Sequence, residues 1–217
     1  VADAMAMLGM RYGSEEAVGF VDAVMRAMRD EAYAASVELA QIHGAFPLFE
    51  ADHYLAEGSS AARLPAGVQE QIRATGIRNS HLICVAPADA VALAFAGNAS
   101  CGIEPVRAHE YNVRPHSDDG SAPEVKLCSR VQDDLRIRFG VGAAEMGATY
   151  ATALDLTVDD QLAVLAAGAP YVDSAISQTV HVPAGYPLDQ FEWIYFKAWS
   201  SGLKGLAKVR RLDAAKP

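Results

Sequence analysis

Between residues 16 and 43 apolar side chains return at three- and four-residue steps: Val18, Val21, Val24, Met25, Met28, Ala32, Ala35 and Leu39. That spacing predicts one long amphipathic helix. Ser14 before Glu15 and Glu16 supplies an N-cap and an acidic first turn, and Gly44 supplies a C-cap. Pro47 keeps the link at 45–49 extended. A short helix is expected over 51–57, a Gly/Ser turn at 58–60 and a helix over 65–75 opened by Pro65. The apolar run Leu82–Ala86 predicts a strand over 81–86 that breaks at Pro87. A loop follows at 87–89, then an Ala-rich helix near 90–97 and a strand near 105–113. Residues 114–126 are the loosest loop, rich in Pro, Ser, Asp and Gly. Leu135–Phe139 alternates and reads as a strand, and residues 140–148 are small. Thr157 caps a helix over 158–174, and residues 176–182 alternate as a strand around Ser177, Thr179 and His181. Pro187 starts a last helix that ends at Gly202, residues 203–209 make a short strand, and residues 210–217 are expected to fray. Helices alternating with short buried strands indicate the α/β class, in one domain over 1–217. Four or so strands are too few to close a barrel alone.

Composition narrows the partners. Among 217 residues, 18 Lys and Arg stand against 27 Asp and Glu, a net charge of −9. That argues against general nucleic-acid binding, which wants a basic face. No apolar run reaches the roughly 18–20 residues of a membrane span, and no signal peptide is visible at the start. Cys84, Cys101 and Cys128 contain no CxxC and make neither a disulfide framework nor a zinc site. A reducing, cytoplasmic setting is therefore expected. The histidines are scattered, and His109-Glu110 lacks the second histidine of HExxH because position 113 is Val113, so no metal is expected.

The candidate chemistry centres on Pro87, Ala88, Asp89, Ala90 and Val91. A turn between a buried strand and a helix presents free N–H groups, the usual seat of an anion in α/β proteins. Arg78 and Asn79, ahead of the strand, are candidates to hold phosphate or orient a loop. Glu104, at a strand entrance, suits a structural carboxylate that accepts backbone N–H groups. Cys84 reads as a small core residue. Phe139–Gly147 hints at a dinucleotide loop but carries Glu145 where the third glycine is needed.

Several stretches resemble one family in order and spacing. They are Arg78-Asn79-Ser80-His81-Leu82-Ile83 with Val85-Ala86-Pro87, Asn98-Ala99-Ser100, Gly102-Ile103-Glu104-Pro105, Tyr171–Pro183 and Trp199–Leu206, with Tyr12–Ala17 and Gly44–Pro47 upstream. Together they are similar to the large subunit of ribonucleotide reductase, most closely its adenosylcobalamin-dependent class. The resemblance covers nearly the whole chain except about 114–150. It implies part of a ten-stranded α/β barrel: a half-barrel with flanking helices, from the C-terminal side. It also implies a radical reaction that replaces the ribose 2′-hydroxyl by hydrogen.

In that family the segment at Pro87–Val91 cradles the substrate diphosphate with backbone N–H groups and Thr or Ser hydroxyls. Here Ala88 and Ala90 offer no hydroxyl and Asp89 stands where the family has Gly. Like charges about 4 Å apart cost roughly 1–4 kcal/mol, and two lost hydroxyl bonds about 1–3 kcal/mol more. Gln178 replaces a usual Lys, His181 a usual Asn, and Cys101 a Ser or Asn. The radical cysteine's Asn-x-Cys-x-Glu segment is absent from this chain, so no catalytic residue is assigned within it. The resemblance implies adenosylcobalamin as cofactor, with none expected on the isolated chain, and a ribonucleoside diphosphate bound weakly or not at all. Open strand edges imply a missing N-terminal barrel half or self-association, with the stripe Val21, Met25 and Met28 as the interface. Two readings stand: part of an active reductase, or a catalytically inactive binding or assembly module.

Overall fold

A computed structural model describes residues 1–114 and 121–212. Helix α1 (Ala2–Met7) leads into α2 (Glu15–His43), which starts at the Ser14 hydroxyl and stops at Gly44, as the capping residues predict. Helices α3 (Ala51–Tyr54) and α4 (Ala66–Thr75) follow, then α5 (Asp89–Phe95). Strands β1 (Glu110–Val113) and β2 (Val125–Cys128) pair antiparallel. Helices α6 (Arg130–Phe139) and α7 (Val158–Gly168) come next, then β3 (Thr179–Pro183), α8 (Leu188–Ser200) and β4 (Lys208–Leu212), with β3 and β4 parallel.

Helix α2 is the spine, and two cores share it. Val21 and Met25 pack with Leu162, Leu165, Val180, Val182 and Ile194. One helical half further on, Tyr33 and Val37 pack with Leu55, Leu64, Ile72 and Ile77. The stripe expected to be an interface is thus mostly spent inside the chain. Val21 and Met25 are buried, and only Met28 stays exposed. Arg11 holds Asp160 through both carboxylate oxygens at 3.1 Å, and Asp160 also closes the capping box with Thr157 at the start of α7. Gly13 lets the chain pass this pair: its φ is +81°, and a Cβ there would lie 2.4 Å from that of Asp160.

Several expectations are corrected. Residues 135–139 lie in a helix, not a strand. Ser129 caps α6, Val131 and Leu135 share its buried face one turn apart, and Gly140 closes it in the left-handed region. The alternation there leaves Ile137 and Phe139 exposed. Residues 81–86 form no strand, and their one bridge is Val85 to Ile176. Their other backbone groups bond instead to a side chain and to the turn at 174–177. Cys84 is therefore exposed, not a core residue. The helix expected over 158–174 ends at Gly168 and continues as a 3-10 turn, Ala169–Tyr171. Residues 210–212, expected to fray, belong to β4, and 213–217 lie outside the described residues. A ten-stranded barrel is not seen; the described strands make two two-stranded sheets.

One carboxylate joins three parts of this fold. The two oxygens of Asp173 accept from the Leu82 N–H at 2.7 Å, the Ile83 N–H at 3.0 Å, the Tyr33 hydroxyl at 2.9 Å and the Ser174 hydroxyl at 3.2 Å. Burial pushes the Tyr33 phenol well above its ordinary value, so it stays a donor. Asp173→Asn leaves an amide nitrogen facing a backbone donor. We expect it to lower unfolding free energy by about 2–3 kcal/mol, and Tyr33→Phe by about 1 kcal/mol, in urea denaturation. An Asp173→Asn change within about 0.5 kcal/mol of the parent rejects this role.

Candidate functional site

The segment that carries the candidate loop is hung at both ends. At its start, the Asn79 N–H donates to the Ser36 hydroxyl at 3.0 Å, and that hydroxyl donates to Asn79 Oδ1 at 2.9 Å. The Arg78 N–H donates to the Ser36 carbonyl. Past the Asp173 clamp, the Val85 N–H donates to the Ala175 carbonyl, and Ser177 donates back to that of Val85. Gly102 packs against this run: its φ is +52°, and a Cβ would sit 2.9 Å from Val85 Cγ1. Pro87 then turns the chain into α5.

The start of α5 has no side-chain cap. Its first N–H groups, at Asp89, Ala90 and Val91, precede the first intrahelical bond, which runs from the Ala92 N–H to the Ala88 carbonyl. The Ala88 N–H is already taken, donating to Cys101 Sγ at 2.9 Å. Beside this turn lies a cleft of about 320 Å³. Asp89, Ala90 and Leu93 form one wall, and Cys101, Glu104, Thr179 and His181 line it from other elements.

The opposing wall is fixed by side-chain bonds to β3. Gln161, buried on α7, donates to the His181 carbonyl and accepts from the His181 N–H, both at 2.8 Å. Glu104 accepts from the Thr179 N–H at 2.6 Å. Two backbone donors of β3 therefore end on side chains and need no further strand. Alternation sends Thr179 and His181 to the cleft, while Val180 and Val182 enter the core.

The seven residues singled out from the sequence do not form one cluster. Asp89 and Ala90 line the cleft. Pro87 and Val91 are exposed beside it, and Ala88 is half-buried against Cys101. Arg78 and Asn79 lie at the far end of the segment, exposed and tied through their backbone to α2. Glu104 performs the structural service expected of it and also faces the cleft. The residues missed were Thr179, His181 and Cys101. The alternation of 176–182 marked the first two as sharing a face, but nothing local said what that face meets.

The cleft is lined by two carboxylates, Asp89 and Glu104, and one guanidinium, Arg107. Burial raises the Glu104 carboxyl above its ordinary value, the Thr179 N–H lowers it, and the Asp89 charge raises it again. Burial is likewise the first cause that raises the Cys101 thiol; the Ala88 N–H opposes it and Asp89 adds to it. The two carboxylates suit hydroxyl and amine donors, and the Arg107 guanidinium suits an anion. Among the described residues no group of three His, Cys, Asp or Glu is placed to hold a metal ion. Among the described residues no helix is long and apolar enough to cross a membrane.

A family model described as "Ribonucleotide reductase, barrel domain" matches residues 1–209. The chain belongs to the ribonucleotide reductase barrel-domain family. It is similar to the vitamin B12-dependent ribonucleoside-diphosphate reductase of Mycobacterium tuberculosis, with 29% identity over 225 residues, 97% of this chain and 30% of the relative. The ribonucleoside-diphosphate reductase large chain of Encephalitozoon cuniculi is 29% identical over 155 residues, 67% of this chain and 19% of the relative. The ribonucleoside-diphosphate reductase subunit alpha of Treponema pallidum is 23% identical over 221 residues, 95% of this chain and 23% of the relative. The chain thus spans 30% or less of the length of these ribonucleotide reductases.

The cleft electrostatics can be read on the thiol. Asp89→Asn removes a charge that raises the Cys101 pKa, so more thiolate forms at a given pH. Alkylation of Cys101 at pH 8, followed by peptide mass spectrometry, is expected to speed up about twofold to threefold. Exposed Cys84 serves as the internal reference and keeps its rate. An unchanged Cys101 rate would show that Asp89 does not act on this cleft.

Proposed function

We propose that this chain is part of the catalytic barrel of a B12-dependent ribonucleoside-diphosphate reductase, or a diverged relative of one. It supplies scaffold and the substrate-side cleft, not the radical or reductant cysteines. The observation that supports this most is the uncapped start of α5, opening beside a cleft walled by Glu104, Thr179 and His181. A sugar's hydroxyls suit the Asp89 and Glu104 carboxylates, and the first-turn N–H groups of α5 suit a phosphate.

The same turn carries the argument for the second reading, an inactive binding or assembly module. Asp89 brings a negative charge to the place a diphosphate would occupy. Ala88 has no hydroxyl, and its N–H is held by Cys101. Diphosphate affinity is therefore low, and the nucleoside portion contributes most of what binding there is.

The vitamin B12 dependence named for the Mycobacterium tuberculosis relatives supports adenosylcobalamin as the cofactor of the whole enzyme. None of the clefts of about 320, 350 and 560 Å³ among the described residues has room for a corrin macrocycle with its side arms. Its seat would then need residues supplied from outside the described part of this chain.

Calorimetric titration with a ribonucleoside and its diphosphate tests the proposal. In the parent chain both ligands are expected to bind weakly and alike. In Asp89→Gly the diphosphate is expected to gain about tenfold or more while the nucleoside is unchanged. No binding of either ligand to either protein rejects the cleft as a substrate site and leaves the inactive module.

A further inference from the structure

The β1–β2 hairpin has two unlike faces. Its register sets Tyr111 opposite Leu127 and Val113 opposite Val125, while Glu110 faces Cys128 and Asn112 faces Lys126. Side chains alternate along a strand, and directly opposed residues share a face. Tyr111, Val113, Val125 and Leu127 therefore form one apolar face, and all of these but Val125 line the 320 Å³ cleft. The other face is polar and carries the Glu110–Lys126 ion pair. Asn98 fixes the hairpin at this angle. Its Oδ1 accepts from the Tyr111 hydroxyl at 2.8 Å, and its Nδ2 donates to the Cys128 carbonyl at 2.9 Å. It does so from the left-handed region, at φ 60°, which a short polar side chain tolerates. The Asn98 N–H donates to the Ala92 carbonyl, so this joint sits just past the end of α5.

We propose that this apolar hairpin face receives the base of a nucleoside, and that the Tyr111 ring sets how tightly a base is held. The inference rests on the reading of the cleft as a ribonucleoside site. Asp89 marks the start of α5 and the hairpin is tied past its end, so the two are separated by the length of the helix, about 10 Å at 1.5 Å per residue. Leu93, one turn along α5 from Asp89 and Ala90, faces the same cleft. A ligand that gives its hydroxyls to the carboxylates therefore meets an aromatic ring and aliphatic side chains further along. A flat base suits that end, because every base has a π-face to lay on an aromatic ring. The Tyr111 hydroxyl is already bonded to Asn98, so the ring is held before a ligand arrives and little rotamer freedom is lost on binding. Val113, Leu127 and Leu93 have no polar atoms to read base edges, and the Asn98 amide is engaged at both ends. The hairpin therefore ranks bases by stacking area, purine above pyrimidine, and not by their edges.

Titration of the whole chain with adenosine, cytidine and ribose, read by calorimetry and by ligand-to-protein nuclear Overhauser effects, tests this. Adenosine is expected to bind more tightly than cytidine, and ribose at least about tenfold more weakly than adenosine. In the parent chain the base protons of adenosine are expected to show Overhauser contacts to the Tyr111 ring. Tyr111→Phe keeps the ring and is expected to hold adenosine within about threefold of the parent. Tyr111→Leu is expected to weaken adenosine at least about fivefold and to remove its advantage over cytidine. An adenosine affinity unmoved in Tyr111→Leu, or base contacts only to residues outside the hairpin, overturns the proposal and leaves the cleft a ribonucleoside site. No binding of any of the three rejects that reading of the cleft and this inference with it. The contacts in the parent chain decide the matter even where a variant folds poorly.

Discussion

Two carboxylate oxygens on Asp173 collect four donors from three places in the chain, and the arrangement of the candidate site follows from that. The residue follows α7 and its 3-10 turn. Its donors are the phenol of Tyr33 on the α2 spine, two successive amides of the segment that leads to α5, and its own neighbour Ser174. Hydrogen bonds to a charged acceptor are the stronger kind. Here they replace the strand pairing that the apolar run 82–86 would otherwise need. Lys204 adds to the same turn, donating to the carbonyls of Asp173 and Ser174 at 3.0 and 2.5 Å. The loop at 87–91 is therefore positioned from behind, by a clamp that touches none of its own atoms.

The opposite wall uses the same device. Gln161 and Glu104 act as side-chain substitutes for a neighbouring strand, bonding the backbone of His181 and Thr179. The cleft between the walls inherits acidic groups from both sides. Glu104 is committed to the Thr179 amide, and Asp89 is not balanced by a side-chain cap at the helix start. The family assignment rests on residues 1–209. Within the cleft, the charge at Asp89 is the feature with the largest consequence for an anionic ligand.

Local features were legible in the sequence, and non-local ones were not. The capping residues Ser14, Gly44 and Thr157 act within a few positions of themselves, so α2 and the start of α7 could be read directly. The run at 135–139 misled because its alternation was incidental. The competing signal, Ser129 with Val131 and Leu135 at helical spacing, placed the helix start five residues earlier. Residues 81–86 misled for another reason: an apolar run predicts burial, but the partners of its amides come from position 173 and beyond. Asp173 lay inside the stretch Tyr171–Pro183, which the sequence marked only by its resemblance to the family. Its reach to Leu82 and Tyr33 spans 91 and 140 residues, and no local pattern carries that. The face shared by Thr179 and His181 was visible as alternation, but the cleft it meets needed the fold.

Amide hydrogen exchange across residues 79–91 tests the clamp most directly. The account predicts that the amides of Leu82, Ile83 and Val85 exchange as slowly as the buried turns of α2, because opening them requires separating Asp173 from Tyr33. Exchange of those three amides at the rate of an exposed loop, with α2 still protected, would contradict it.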